Sequence, residues 1–272
     1  MSESSFTVSR NPASKIDTSM AHPARVWDYW LGGKDNYAPD REVGDLLNAA
    51  MPEVVIWARA DREFLIRAVR YLVSEVGIRQ FLDIGTGIPT ANNTHEVAQS
   101  IAPDCRIVYV DNDPIVLVHA RALLTSTPQG ATDYIDADLR EPDKILRAAA
   151  QTLDFSKPIA LILLGILEFI ITDEAYEIVS RLLGAMPSGS HLAIASPTGE
   201  VHRETTTEVI RRWNESGATP ATLRSREELI RFFDHMELLE PGLVSLPQWR
   251  PDPSTLYADR EIAFFGAVGR KP

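Results

Sequence analysis

Residues 78–90, IRQFLDIGTGIPT, constrain the fold of this chain more than any other stretch. Residues 78–84 read as a buried strand, and Gly85, Thr86 and Gly87 follow as a tight turn. A stretch with helical character, 92–101, comes next. Strand, glycine turn and helix in this order present backbone N–H groups to a nucleotide-like ligand at the edge of an open α/β sheet. The glycines also let a ligand approach the backbone without meeting a Cβ atom.

Acidic residues at the ends of the predicted strands indicate which ligand fits. Asp111 ends the second strand, 24 residues after Gly87, where an acid holds the two hydroxyls of a ribose. The acids expected along this edge are Asp83, Asp111, Asp113 and Asp138. They would repel the two phosphates of NAD, whereas S-adenosylmethionine (SAM) carries a sulfonium and an ammonium and no phosphate. The edge therefore favours SAM; the alternative is that Asp83 and Asp111 only cap turns.

Two positions also argue against a dinucleotide-binding dehydrogenase. Such a fold would place a third glycine at Thr90 and an apolar residue at Asp83. Neither is present, so a dehydrogenase is the weakest of the functions considered.

Charge and composition exclude other classes of function. The chain has 272 residues and a formal net charge of −11, which disfavours binding to a nucleic-acid backbone. No run of about 18 apolar residues is present, so no membrane span is expected. A secretory leader is not evident and Cys105 is the only cysteine, which predicts a cytoplasmic protein without disulfides. The histidines show no metal-ligand spacing, so no metal site is expected.

Strands and helices alternate from residue 78 onward. Further strands are predicted at 106–110, 131–136, 159–164 and 190–195, with helices at 143–152, 173–186, 201–216 and 225–235. Two final strand-like stretches, 238–245 and 261–268, suggest an antiparallel hairpin at the sheet edge. The pattern predicts an α/β fold: a doubly wound, mostly parallel seven-stranded sheet with helices on both faces and an antiparallel C-terminal edge.

The N-terminal region has a different character. Helices are predicted at 24–31 and 39–50, and a longer one at 52–76. We expect residues 1–60 to form a tail and a helical cap, and residues 61–272 to form the Rossmann-like core. The polar and aromatic turn at 33–37 favours a lid over the cofactor, and the alternative is a plain packing extension.

These segments together resemble a known family. The chain resembles the class I, Rossmann-like SAM-dependent methyltransferases and, more narrowly, a bacterial family called S-adenosyl methyltransferases, whose substrates are generally unassigned. The segments that carry the resemblance are 23–37, 81–90, 108–114, 137–140, 240–244 and 249–252.

The resemblance implies SAM as the cofactor and a set of residues that bind it. Asp83, Gly85, Thr86 and Gly87 match the first SAM motif. Asp111, followed by Asn112, matches the ribose acid, and Asp138 with Leu139 matches the pair at the adenine. Gly165 and Ile166 match the segment under the methionine part of SAM.

Two positions depart from the family pattern at strand ends that face the substrate. A histidine is expected where Glu168 stands, and Ser-His where Ser196 and Pro197 stand. Glu168 is the first candidate for a general base; alternatively it binds a cation or faces solvent. Tyr37 and Trp30 are candidate walls of the substrate pocket, although a core position suits Trp30 equally well.

The predicted function is direct transfer of the SAM methyl group to a small molecule. Alternatives from other classes are an enzyme that uses SAM without methylation, for example by cyclising it, and a SAM-binding regulator without catalysis. Neither a nucleic acid nor a membrane is an expected partner. The oligomeric state is open, with a homodimer among the alternatives.

Overall fold

The fold is built on one sheet of eight strands in the part of the chain that the computed structural model describes, residues 16–123 and 125–272. The strands are β1 (Gln80–Ile84), β2 (Arg106–Asp111), β3 (Ala131–Asp136), β4 (Ala160–Leu164), β5 (His191–Pro197), β6 (Glu237–Leu238), β7 (Val244–Ser245) and β8 (Phe264–Arg270). Their order is β3-β2-β1-β4-β5-β8-β6, with β7 also paired to β8. Strands β1 to β5 are parallel, and β8 runs antiparallel to β5, β6 and β7.

Helices cover both faces of this sheet, as a parallel sheet requires. They are α1 (Pro23–Trp30), α2 (Ala38–Ala50), α3 (Val54–Tyr71), α4 (Thr94–Ile101), α5 (Pro114–Leu123), α6 (Pro142–Ala149), α7 (Glu174–Gly184), α8 (Arg203–Glu215) and α9 (Arg226–Ile230). One core packs α1 to α4 and α8 against the sheet, and a second packs α6, α7 and α9 against the opposite face. None of the helices described is long and apolar enough to cross a membrane.

The α/β, doubly wound fold class is confirmed, with a correction to the strand count. The predicted strand at 238–245 is two short strands, β6 and β7, because a turn interrupts it at Pro241 and Gly242. Gly242 has φ +84° and donates its N–H to the Leu239 carbonyl oxygen at 2.8 Å. The sheet therefore has eight strands where seven were predicted.

The helix predicted at 52–76 changes geometry near its end. Helix α3 is α-helical to Tyr71, and Leu72–Val76 forms a π-helical turn before Gly77, at φ +84°. Helix α3 also passes through residue 60 without a break. The division of the chain into a cap of residues 1–60 and a core of residues 61–272 stays a prediction, and residues 1–15 of that cap lie outside the described residues.

The glycine turn after β1 is held by a close backbone approach. Gly85 donates its N–H to the Val110 carbonyl oxygen at 2.8 Å and has φ +77°. A Cβ atom on Gly85 would lie 2.7 Å from the Ile166 Cβ, closer than carbon atoms pack. Only a glycine therefore fits between β1 and the segment after β4.

We expect Gly85→Ala to lower the free energy of unfolding by more than Gly77→Ala does. Both glycines have a left-handed backbone conformation, which costs an alanine about 1–2 kcal/mol. A Cβ atom on Gly77, however, would meet no atom within 4 Å. The clash at Gly85 adds about 1–3 kcal/mol of overpacking. Urea unfolding followed by circular dichroism measures both variants, and equal losses would contradict the packing described for Gly85.

Candidate functional site

A large cavity opens at the carboxyl ends of β1, β2 and β4, where open α/β sheets bind their ligands. It contains about 1020 Å³ of empty space, its solvent-filled mouth included. Nine of the predicted cofactor residues line it, namely Gly85, Thr86, Gly87, Asp111, Asn112, Asp138, Leu139, Gly165 and Ile166. The structure thus brings together residues that lie up to 81 positions apart in the sequence, on four strand ends.

The Asp111 carboxylate is fixed in place at the end of β2. Its Oδ2 accepts the Gly87 N–H at 2.8 Å, and its Oδ1 accepts the Asp113 N–H at 3.0 Å. The residue is buried, and burial raises its pKa from the ordinary value. Each carboxylate oxygen retains a further lone pair, so the group can still accept hydrogen bonds from two hydroxyls in the cavity.

Asp83 lies behind the glycine turn and does not line this cavity. Its Oδ2 accepts a 2.5 Å hydrogen bond from the Thr94 hydroxyl in the first turn of α4. Burial raises the pKa of Asp83 to about 6. In this arrangement Asp83 connects the end of β1 to α4 and so positions the turn between them.

The segment after β3 forms the far wall of the cavity. Asp138 accepts hydrogen bonds from the Asn112 side chain at 3.1 Å and the Arg140 N–H at 2.8 Å. The Leu139 side chain beside it is buried. An apolar surface next to a carboxylate suits a planar base that carries an exocyclic amino group.

The opposite end of the cavity is built around Gly165, at φ +59° after β4. A Cβ atom there would lie 3.3 Å from the Trp27 ring, which lines the cavity from α1. Arg62, half-buried on α3, also lines this space. Its Nη2 donates to the carbonyl oxygens of residues 91 and 92, which leaves other guanidinium donors for an anionic group.

Two buried carboxyl groups lie near this end. Asp61, on α3, borders the cavity with 8% exposure, and burial raises its pKa to about 7. Glu168, on the turn Leu167–Phe169 after β4, is 3% exposed. Burial raises the pKa of Glu168 to about 8, and the negative charge of Asp61 acts in the same direction. Carboxyl groups with pKa values this close to neutral can exchange protons at physiological pH.

The predicted catalytic pair, Glu168 and Tyr37, lies outside the cavity lining. Glu168 is close behind Gly165, since its Oε1 would be 3.8 Å from a Cβ at that position. Tyr37 immediately precedes α2 as its N-cap residue and packs beside Ile88 and Ile115. Both catalytic assignments stay predictions. Trp30 is a core residue that donates its Nε1–H to the Gly44 carbonyl oxygen at 3.2 Å.

The N-terminal helices reach the cavity through α1 rather than through the polar turn at 33–37. The cavity residues from this region are His22, Pro23, Ala24, Trp27, Asp28 and Leu31. Arg25 attaches α1 to the end of β2, because its Nε donates to Asp113 Oδ2 at 3.0 Å. Asn36, in the turn at 33–37, contacts α1 instead: its side-chain N–H donates to Asp28 Oδ2 at 2.8 Å.

We expect a bound cofactor to slow amide hydrogen exchange across residues 16–40, most strongly in α1. The reason is that α1 borders the cavity and the rest of the segment is attached to α1. Exchange measured by mass spectrometry with and without ligand tests this, and the loop at 153–158, which precedes the amino end of β4, serves as the unaffected control. Equal exchange in α1 in both states would favour a plain packing role.

Sequence reasoning missed Trp27, Asp61 and Arg62 as cavity residues. A signal for Asp61 was available, because Val54, Trp57, Asp61 and Phe64 fall on one face of a helical pattern. An acid among large apolar residues on the buried face of a helix needs a partner or a function. No comparable local signal marks Trp27, whose neighbours in α1 are also aromatic.

Comparison with known proteins places this geometry in context. Residues 9–272 match the model of a family described as S-adenosyl methyltransferase. A DUF574 family protein from Streptomyces avermitilis MA-4680 is 47% identical, covering 95% of this chain and 100% of its own, with a TM-score of 0.91. A protein from Thermobifida fusca YX, described as a candidate methyltransferase, is 38% identical, covering 97% and 99%, with a TM-score of 0.86.

A more distant structure shares only the fold. The plantazolicin methyltransferase BpumL, solved in complex with S-adenosylhomocysteine (SAH), is 11% identical with a TM-score of 0.51, covering 92% of this chain and 95% of its own. None of the curated proteins searched matches the chain. The family resemblance predicted from the sequence is confirmed.

Proposed function

Because the chain belongs to the S-adenosyl methyltransferase family, whose cofactor is SAM, we propose that it binds SAM in this cavity and transfers the methyl group directly to a small molecule. The observation that carries the proposal is the fixed Asp111 carboxylate, which faces a cavity with acids at its edge and no phosphate-binding glycine at Thr90. The same arrangement disfavours NAD, because the carboxylates at this edge would repel its two phosphates.

The residues on the cavity wall fit the parts of SAM in sequence. Asp111, with Asn112, would hold the ribose hydroxyls, and Asp138 with Leu139 would contact the adenine. Gly165 and Ile166 would lie under the methionine part, since the absence of a side chain at Gly165 leaves the space below Trp27 open. Arg62 would bind the methionine carboxylate, because a guanidinium matches a carboxylate in charge and geometry.

The chain's part in the reaction is alignment, exclusion of water and proton transfer. Bound SAM supplies an electrophilic methyl group on a sulfonium, which needs little covalent assistance. Trp27 would cover the reacting end from α1 and hold the acceptor in line with the methyl group. Glu168, as a carboxyl group behind Gly165, would act on the acceptor through its charge or its proton.

Methyl transfer is tested by incubating the protein with SAM that carries a trideuterated methyl group and with a small-molecule extract of actinomycete cells. Mass spectrometry should detect trideuteromethylated products, and Asp111→Ala should reduce their yield at least tenfold. SAM converted to another compound without an acceptor would indicate a non-methylating enzyme. Bound but unchanged SAM would indicate a regulator, and either result would contradict the proposal.

The proposal also covers the location of the enzyme and its partners. We propose that the enzyme acts in the cytoplasm on a small molecule, without a nucleic acid or a membrane as partner. The net charge of −11 and the absence of a membrane-crossing helix among the described residues support it.

A further inference from the structure

Four buried side chains near the methionine end of the cavity carry a polar atom that makes no hydrogen bond of standard geometry with another described residue. These atoms are Trp57 Nε1, Asp61 Oδ1, Glu168 Oε2 and Ser196 Oγ. The four side chains are 4%, 8%, 3% and 0% exposed, respectively. Leaving such a group unpaired destabilises the folded state, and a folded chain rarely leaves several together. A ligand that pairs with them would recover this cost.

The four residues converge on one place although they come from three parts of the fold. Trp57 and Asp61 lie one turn apart on α3. The Trp57 ring packs on Phe264, and Phe264 packs on Trp27, each with 5.8 Å between ring centroids. Ser196 pairs with Phe265, which points to the opposite face of the sheet from Phe264, so Ser196 joins this group only through Glu168 at the strand end. Glu168 lies close enough to Asp61 and Ser196 that the Asp61 charge raises its pKa, while a hydrogen bond from the Ser196 hydroxyl to the carboxylate lowers it.

This cluster borders the reacting end of the cavity. Asp61 itself lines the cavity, and Glu168 lies behind Gly165, the glycine under the proposed methionine part. The Trp27 ring connects the two, since it lies over Gly165 and packs on Phe264 with 5.8 Å between centroids. Of the four residues only Asp61 lines the cavity, so an acceptor that contacts Asp61 would lie next to the methyl group of bound SAM.

Neither of the two acids in the cluster forms an ion pair with another described residue. In the described ranges, no Arg, Lys or His nitrogen lies within 4.0 Å of a carboxylate oxygen of Asp61 or Glu168. The nearby Arg224 is committed elsewhere, because its Nη1 donates to the Leu167 carbonyl oxygen at 2.7 Å and its Nη2 to that of Ile170. The charges of Arg62 and Arg224 lower the pKa values of Asp61 and Glu168, respectively, but neither arginine forms an ion pair with them, so a cationic ligand would be the first group to pair directly with either acid.

We propose that Trp57, Asp61, Glu168 and Ser196 form the acceptor subsite and that the acceptor is an amine. This inference rests on the proposed function and names its substrate class. An ammonium group fits because it brings both the missing charge and several N–H donors, which unpaired carboxylate oxygens accept. A carboxylate or phosphate acceptor would be repelled by the ionised Asp61, and an alcohol would leave Asp61 without a direct counter-charge.

The subsite also supplies the proton transfer that an amine needs. The ammonium gives one proton to the Asp61 carboxylate, which frees the lone pair on nitrogen. The nitrogen then attacks the methyl carbon, the S–CH3 bond breaks, and its electron pair stays on sulfur. The products are SAH and a methylated ammonium that carries the positive charge. Burial supports this role, because it raises the pKa of Asp61 to about 7 and brings it nearer to that of an amine.

The test measures binding of amines to the protein saturated with SAH. Calorimetry compares methylammonium, n-butylammonium and benzylammonium with methanol, n-butanol and benzyl alcohol, which match them in shape. We expect at least one amine to bind tenfold or more tightly than its alcohol. Asp61→Asn, which keeps the shape and removes the charge, should reduce this preference to less than about twofold. Glu75→Gln, which removes one exposed acid from the π-helical turn after α3, should leave it unchanged.

Three results would overturn the amine subsite. The first is that no amine binds more tightly than the alcohol of the same shape. The second is that the preference for the amine survives in Asp61→Asn. A loss of SAH affinity in Asp61→Asn as large as the loss of amine affinity would instead assign Asp61 to the cofactor's own ammonium. Failure of the wild-type protein to bind SAH is a distinct outcome, because it contradicts the proposed function itself. Trideuteromethyl groups found only on oxygen, carbon or sulfur would overturn the amine and leave the methyl transfer standing.

Discussion

Replacing Asp111 with alanine should weaken SAH binding by at least tenfold. The Asp111 carboxylate is held by the N–H groups of Gly87 and Asp113, so it meets the ribose hydroxyls in a fixed position. Each charge-assisted hydrogen bond to a hydroxyl contributes about 1.5–3 kcal/mol, and about 1.4 kcal/mol corresponds to a tenfold change in affinity. Isothermal titration calorimetry measures the change directly.

Two further variants separate ribose binding from damage to the turn. Asp111→Asn keeps an oxygen for the Gly87 N–H and removes the charge, so it should fold as the wild type does and still bind SAH more weakly. Asp136→Ala removes an exposed acid from the residue that pairs with Asp111 on β3, outside the cavity lining, and should leave the affinity unchanged. An Asp111→Ala protein with wild-type affinity would contradict the assignment of the ribose site.

The second large effect is a loss of stability with rising pH that Glu168→Gln should remove. Burial raises the pKa of Glu168 to about 8 from an ordinary value of 4.5. Between these values the folded state keeps a proton that the unfolded state has lost, so the free energy of unfolding falls as the pH rises. Neutral Glu168 makes its full contribution to the free energy of unfolding below about pH 4.5, and this contribution is lost once the pH has passed about 8.

Raising the pH from 5 to 8.5 should lower the free energy of unfolding of the wild type by roughly 4 kcal/mol more than that of Glu168→Gln. The comparison uses ligand-free protein and urea unfolding. Because His95 and His191, whose pKa values burial lowers, are the same in both proteins, their contributions cancel. Glu75→Gln serves as the exposed control and should show no such change. A constant difference for Glu168→Gln would mean that Glu168 is solvated in the free protein.

The fold was predictable where the local pattern decides the structure. Strand β4 is apolar at all five positions, as expected for a central parallel strand, and the glycine turn after β1 has the residues that such a turn needs. Helix α5, by contrast, had no predicted counterpart, although Pro114 stands at its start, a position that suits proline. The strand at 238–245 was predicted as one element because its apolar pattern outweighed the turn signal at Pro241 and Gly242.

The cavity was predictable on one side only. Its cofactor wall comes from strand ends, and the order of parallel strands brings those ends together whatever the details of packing. The other wall depends on how α1 and α3 lie across the sheet. That placement follows from contacts such as Arg25 with Asp113, 88 residues apart, and from the aromatic packing of Trp27 and Trp57 on Phe264. No local pattern contains these pairings, so Trp27, Asp61 and Arg62 were not assigned from the sequence.

The measurement that tests the central proposal most directly is a crystal structure of this protein grown with SAH. We expect SAH to occupy the cavity at the carboxyl ends of β1, β2 and β4. Its ribose hydroxyls should lie within hydrogen-bond distance of Asp111, its adenine beside Leu139 and its sulfur at the end that Asp61 borders. SAH bound at any other place, or in this cavity with its ribose away from Asp111, would contradict the account.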